Sequence, residues 1–168
     1  MFDIEPFPAR LLVVGGGYIA CEFASIFNGL GASVTQLYRG PQVLRGFDDD
    51  VREHLRSEME KRGIRIVTRQ TVAAIEKVEH GLAVELSDNE SSVVDQVMFA
   101  TGRRPNVRGL GLEKAGVRLD DKGAIAVDDY SRTSVPHIYA VGDVTDRVNL
   151  TPVAIREFLE SPYGVIAD

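Results

Sequence analysis

The sequence predicts an α/β fold: a parallel sheet with helices on its faces and a β-meander crossover, followed by an incomplete second segment. Three observations carry this. Short apolar runs alternate with segments of helical period from Leu11 to Val67. A glycine cluster, Gly15-Gly16-Gly17, separates the first run from the first helical segment. From Val72 to Ala100 strand-like runs follow one another with no helix between them. Alternation of the first kind requires crossover helices over parallel strands, and succession of the second kind makes an antiparallel meander.

Each element has a local cause. Residues 1–10 are a lead-in, because Pro6 and Pro8 break any helix. Leu11 to Val14 is a continuous apolar run, as suits a strand buried on both faces. Ile19, Ala20, Phe23, Ala24, Ile26, Phe27 and Leu30 recur at spacings of three and four, which predicts a helix ending at Gly31. Ala32 to Tyr38 is the second strand. Gly40, Pro41 and Gly46 make the next stretch a loop. Asp48, Asp49 and Asp50 open a second helix, where negative charge complements the dipole; Val51, Leu55 and Met59 are its expected buried face. Gly63 ends it and Ile64 to Val67 is the third strand. Val72–Val78, Leu82–Leu86 and Val93–Ala100 are the meander and the return strand.

A boundary is expected in the polar stretch Arg103 to Gly111, dividing the chain into residues 1–106 and 107–168. The second part offers strands near Ala124–Val127 and Ile138–Val141 and a helix from about Pro152. That is too little for a core of its own.

Composition excludes several classes. Of 168 residues, 44% are hydrophobic and 26% charged, which is the balance of a folded globular chain rather than a disordered one. A net charge of -6 argues against nucleic acid as partner. No apolar run approaches the roughly 20 residues of a membrane span, so no membrane is expected. The single cysteine, Cys21, excludes an intrachain disulfide and a dithiol centre, and points to an intracellular, cytoplasmic setting. His54, His80 and His137 show no partner spacing that suggests a metal site or catalysis.

Gly15-Gly16-Gly17-Tyr18-Ile19-Ala20 has the form G-x-G-x-x-A, placed after a strand and before a helix. That context makes it a Rossmann-like dinucleotide fingerprint. Gly15 permits the tight turn, Gly17 lets the backbone approach a pyrophosphate, and Ala20 lets the helix pack on the strand. An NAD site places an acid near the end of the second strand, on the ribose 2′-hydroxyl. Here Tyr38 is followed by Arg39, and Arg45 lies six residues on, with no acid. Two guanidinium groups there suit the 2′-phosphate of NADPH. Two solvated loop arginines are the plainer alternative.

Several segments resemble one family. Gly15 to Ala24, Gln36 to Gly40, Leu44 to Asp48 and Ala100 to Asn106 are similar to the NADPH domain of the glutathione reductase branch of the pyridine nucleotide-disulfide oxidoreductases. Ser131 to Pro136, Ile138 to Asp143 and Leu150 to Ala154 resemble the returning segment of its FAD domain. The likeness runs over roughly residues 2–156.

The resemblance implies roles. Tyr18 would cover the flavin and Ile19 would line the nicotinamide pocket. Glu22 would stand at the nicotinamide side of the flavin. Arg39 and Arg45 would hold the 2′-phosphate, and Gly102 would pass close to the cofactor. Gly142 and Asp143 would stand at the flavin ribityl chain, with Leu150 and Thr151 bordering its ring. Tyr18 also reads as an exposed first-turn aromatic, Glu22 as a solvated helix residue and Asp143 as a turn cap. Thr151-Pro152 reads equally as an N-cap and first helical position. Cys21 stands where the family has a small aliphatic residue, and is read as structural.

The family passes hydride from NADPH to FAD, then reduces an enzyme disulfide and glutathione disulfide, as a homodimer. This chain has neither a second glycine fingerprint nor a cysteine pair. The expectation is therefore a fragment that binds NADPH without turnover, does not retain FAD, and exposes edges that favour self-association. A related dihydrolipoamide or trypanothione reductase, or a non-enzymatic nucleotide-binding remnant, are the alternatives. Arg39 and Arg45 speak against the dihydrolipoamide type.

Overall fold

The computed structural model describes residues 4–161 and divides into two compact units, with the boundary after Gly102. That is four residues before the expected one at Asn106. Arg103 already belongs to the second unit, where its guanidinium pairs with the carboxylate of Asp143. Residues 1–3 and 162–168 of the expected domains lie outside the described residues.

In the first unit, strand β1 (Arg10–Val14) leads through the glycine turn into helix α1 (Tyr18–Gly29). Strand β2 (Ser33–Tyr38), helix α2 (Asp49–Lys61) and strand β3 (Arg65–Thr68) follow. Gly31 and Gly63, at φ +100° and +91°, take the left-handed conformation just past each helix, where a side chain is penalised. Asp48 caps α2 by accepting from the Asp50 N–H at 3.0 Å. Strands β4 (Val72–Val78), β5 (Gly81–Leu86) and β6 (Ser91–Val94) form an antiparallel sheet. Strand β7 (Gln96–Phe99) returns to pair parallel with β1, which gives the sheet order β3-β2-β1-β7.

The single run expected over Val93–Ala100 is thus two strands. Asp95 divides them: its carboxylate accepts from the Arg10 main-chain N–H at 2.7 Å and from the Arg10 guanidinium at 2.5 Å. The Arg10 interactions hold the Asp95 carboxyl below the usual carboxylate range. Before Asp95 the chain pairs with β5; after it, with β1.

The unit has three layers. Leu11, Val13, Val34 and Ile66 face α1 and α2, packing with Ala20, Ala24, Phe27 and Met59. Leu12 and Leu37 face the other way and pack on Val84, Leu86 and Val94. Both helices therefore cover one face of the parallel sheet, and the meander rather than a helix covers the second. Val51, expected on the buried face of α2, is 51% exposed; of the series Val51, Leu55, Met59 only Met59 is fully buried.

The second unit contains helix α3 (Leu112–Ala115), a 3₁₀ turn at Gly142–Thr145 and helix α4 (Thr151–Glu160). The strands expected near Ala124–Val127 and Ile138–Val141 are not formed as ladders. Two isolated bridges stand there, Leu119 with Ile125 and Arg132 with Tyr139. Asp-capped turns take up the neighbouring N–H groups: Asp120 Oδ1 accepts from Lys122 and Ala124, and Asp128 Oδ1 from Tyr130 and Arg132. The unit does assemble a small core, with Val117, Ile125 and Ala140 buried at its centre, contrary to the expectation of none. Among the described residues no helix is long and apolar enough to cross a membrane.

Candidate functional site

Four strands end on the same edge of the parallel sheet in the first unit, and each delivers a segment there. β1 delivers Gly15–Gly17, β2 the loop with Arg39 and Arg45, β3 Arg69, and β7 Ala100–Gly102. The order reverses direction at β1, and the crevice outside the carboxyl ends of strands at such a point is where open α/β sheets place ligands.

The glycine turn is fixed by close approach. Gly15 sits at φ +150°, and a Cβ there would lie 2.3 Å from the Ala100 carbonyl oxygen and 3.2 Å from Ala20 Cβ. A Cβ on Gly16 would meet the Tyr38 ring at 2.4 Å, and one on Gly40 the same ring at 2.5 Å. Tyr38 therefore packs between two glycines, a constraint not recognised from the sequence, although a third glycine in the turn and Gly40 directly after Arg39 were its visible signals. Gly17 differs: nothing lies within 4 Å of its Cβ position. It is the N-cap of α1 and offers no side-chain cap to the first-turn N–H groups. An anion fits such a helix terminus through its N–H groups and dipole.

The arginine loop is shaped before any ligand arrives. The Leu44 N–H donates to the Gly16 carbonyl at 2.6 Å, tying the loop to the glycine turn. Arg52 of α2 donates from Nε to the Val43 carbonyl at 2.9 Å and from Nη2 to the Gln42 carbonyl at 3.1 Å. Val43 and Leu44 are buried, with Leu44 at φ +54°. Arg39 and Arg45 are exposed, and among the described residues neither side chain makes a hydrogen bond or ion pair. The loop thus spends one arginine, Arg52, on its own shape and leaves two for something else.

Tyr18 and Glu22 are exposed on α1, Ile19 is half-buried and Ala20 fully buried. Gly102, at φ +143°, is exposed with open space around it. Cys21 is buried; desolvation pushes its thiol pKa up, against the opposing effect of Gln36 Nε2 at 3.5 Å. The fully buried Gln36 also donates from Nε2 to the Gly15 carbonyl at 3.0 Å, so it braces the glycine turn from below.

The remaining expected residues lie in the second unit. Gly142 is buried at φ +73°, its N–H donating to Glu157 Oε2 at 2.7 Å. Asp143 is held by Arg103. Leu150 is the N-cap of α4 and Thr151 its first residue, one position later than the N-cap reading. Leu150 supplies no side-chain cap, which leaves that helix start uncapped as well. Among the described residues no group of histidine, cysteine and carboxylate side chains is placed to hold a metal.

A parallel sheet with a glycine turn, an antiparallel crossover sheet and a returning strand is the FAD/NAD(P)-binding fold of flavin disulfide reductases. A flavoprotein disulfide reductase induced by HOCl in Escherichia coli superposes with a TM-score of 0.85 at 31% identity, over 92% of this chain and 35% of that one. An engineered water-forming NADPH oxidase, solved with NADPH bound, gives 0.78 at 30% identity over 89% of this chain and 35% of the other. The sequence pattern of the pyridine nucleotide-disulphide oxidoreductases matches residues 2–157, and the chain belongs to that family. It is 57% identical to the glutathione reductase of Burkholderia cepacia over 98% of its length, and 49% identical to the trypanothione reductase of Leishmania donovani over 97%. The chain spans 37% and 35% of the length of these two relatives.

Proposed function

We propose that this chain binds NADPH in preference to NADH and is the nicotinamide-nucleotide portion of a glutathione-reductase-type enzyme. The pyrophosphate would lie on Gly15–Gly17 and the start of α1, the 2′-phosphate between Arg39 and Arg45, and the nicotinamide toward Tyr18, Ile19 and Gly102. The observation that carries this reading is the Leu44–Gly16 hydrogen bond, which fixes two unpaired arginines beside an uncapped helix start. The engineered NADPH oxidase adds support: its substitutions remove an aspartate, place arginine at the next position and again six residues later. Tyr38, Arg39 and Arg45 have that same spacing here.

NADPH supplies a hydride when bound. What this chain contributes is orientation and charge: N–H groups and guanidiniums on the phosphates, and an exposed Tyr18 ring at the edge where the nicotinamide would enter. Gly142, Asp143, Leu150 and Thr151 fit a role at FAD only in company with residues this chain does not carry, since it holds one glycine fingerprint. Its one cysteine is buried, so the isolated chain is expected not to reduce glutathione disulfide.

Calorimetric titration of the purified chain with NADPH and NADH in parallel tests the reading. NADPH should bind at least about tenfold tighter, the scale of one or more charge-assisted bonds. Arg39→Ala with Arg45→Ala should erase the difference while leaving NADH binding in place. Equal affinities in the unaltered chain, or no binding of either nucleotide, would overturn it.

A further inference from the structure

A third arginine, Arg69, stands at the same edge and has no assigned task. Strands β2 and β3 pair in parallel register with Tyr38 opposite Thr68, so Arg39 and Arg69 are the next residues on neighbouring strands. Neighbouring strands lie about 4.8 Å apart. The Arg69 N–H donates to the Gly40 carbonyl at 3.0 Å, which locks its backbone to the loop that carries Arg39 and Arg45.

Three features bear on what Arg69 does. Its φ is +61°, a left-handed conformation that few non-glycine residues adopt and that is often retained where a site requires it. Its side chain is exposed and makes no hydrogen bond or ion pair among the described residues. Asp88, which accepts from the neighbouring Gln70 Nε2 at 2.7 Å and from the Glu90 N–H at 3.1 Å, makes no ion pair with Arg69. Like charges on adjacent strand ends repel, and an anion between them would relieve that repulsion.

We infer that Arg69 is a specificity residue for the phosphate monoester on the adenosine ribose, closing the site from the β3 side while Arg39 and Arg45 hold it from the β2 side. This rests on the proposed NADPH reading and extends it to a residue outside the arginine loop. Glycine would suit the backbone at position 69 better than arginine does, so replacing Arg69 tests the guanidinium without straining the turn.

The test is titration of the full chain carrying Arg69→Gly with NADPH, NADH, 2′,5′-ADP and 5′-AMP. Arg69→Asn serves as a second variant that also tolerates the left-handed backbone. NADPH and 2′,5′-ADP should weaken by about fivefold to tenfold, the scale of one partly exposed charge-assisted contact. NADH and 5′-AMP should be unchanged, and the thermal midpoint should be equal or higher. Unchanged NADPH affinity, in a chain whose preference is still erased by the Arg39 and Arg45 substitutions, overturns the role of Arg69 and leaves the parent reading standing. Equal weakening of all four ligands also overturns it, as a loss of adenosine positioning. An unaltered chain that does not distinguish NADPH from NADH ends both readings.

Discussion

The two units solve the same problem, burying a short stretch of chain, by opposite means. The first buries two continuous apolar faces of one parallel sheet, against helices on one side and an antiparallel sheet on the other. Its polar contacts are then free to shape loops, as Arg52 does. Among its described residues the second has short helices, two isolated bridges in place of a sheet, and a small apolar cluster. No residue of α4 is fully buried, and Ile155, Phe158 and Leu159 are each about half exposed. What orders it is a polar relay in which Glu157 accepts from the Gly142 N–H at 2.7 Å and from Arg147 at 2.9 Å, while Arg147 also donates to Ser131 Oγ at 2.9 Å. Apolar layers confer cooperative stability; a relay of turns and ion pairs confers local order that any one substitution can undo.

The largest expected effect breaks the first unit at its tightest point. Gly15→Ala places a Cβ 2.3 Å from a main-chain oxygen at a φ that alanine avoids. Nothing flexible can yield there, because Ala100 is itself bonded through its N–H to the Val14 carbonyl at 2.7 Å. A loss of about 3 kcal/mol in denaturant unfolding is expected, together with loss of nucleotide binding. Gly17→Ala, with open space and extended backbone at φ -81°, should cost well under about 1 kcal/mol while still impairing binding. Equal destabilisation by the two would show that the turn is not held by the Ala100 contact.

The next effect sharpens the contrast from the other side. Glu157→Ala leaves the buried Gly142 N–H without its acceptor and removes the partner of Arg147. About 2 kcal/mol of local stability should be lost from the second unit alone. Amide exchange should accelerate over residues 125–160 and stay unchanged over β1, β2 and β7. Faster exchange across both units would mean that they unfold as one, and the division drawn between them would fail.

The same contrast explains what was legible in the sequence. The first unit could be read element by element because its burial follows strict periods: Leu11 and Val13 to one face, Leu12 to the other, and the α1 residues Ala20, Ala24 and Phe27 at three and four. The reading slipped where a tertiary contact overrode the pattern. Val93–Ala100 reads as one strand-like run, and the long-range bonds from Arg10 to Asp95 divide it. Val51 matches the helical period yet lies on the rim of α2. In the second unit the β-branched runs at Ala124–Val127 and Ile138–Val141 had no ladder to join, so propensity alone misplaced strands there. At the candidate site, the glycine pattern and the arginine pair were visible as local motifs. The packing of Tyr38 on Gly16 and the bracing by Gln36 depend on contacts across 21 or more residues of chain, the Arg52 brace on contacts from a helix back to the preceding loop, and the placement of Arg69 on strand register, none of which a local pattern encodes.

The smallest effect concerns the seam where the first unit's two sheets part. The Arg10 side chain, then its main-chain N–H, favour the charged form of Asp95, so its folded pKa lies below the unfolded value. The sign follows: the contribution is fully present above the ordinary aspartate range, near pH 4, and is lost as pH falls through the lower folded value. Asp95→Asn keeps the shape and can still accept from Arg10, but it no longer titrates. The unaltered chain should therefore lose stability more steeply than the variant below about pH 4, with the two curves parallel above it. Because the pair is partly exposed, added salt should narrow the gap between the two proteins. Parallel curves through the acid range would reduce Asp95 to a neutral hydrogen-bond acceptor. The division of β6 from β7 would then rest on backbone pairing alone, chiefly the Asp95 N–H to the Arg10 carbonyl at 2.9 Å.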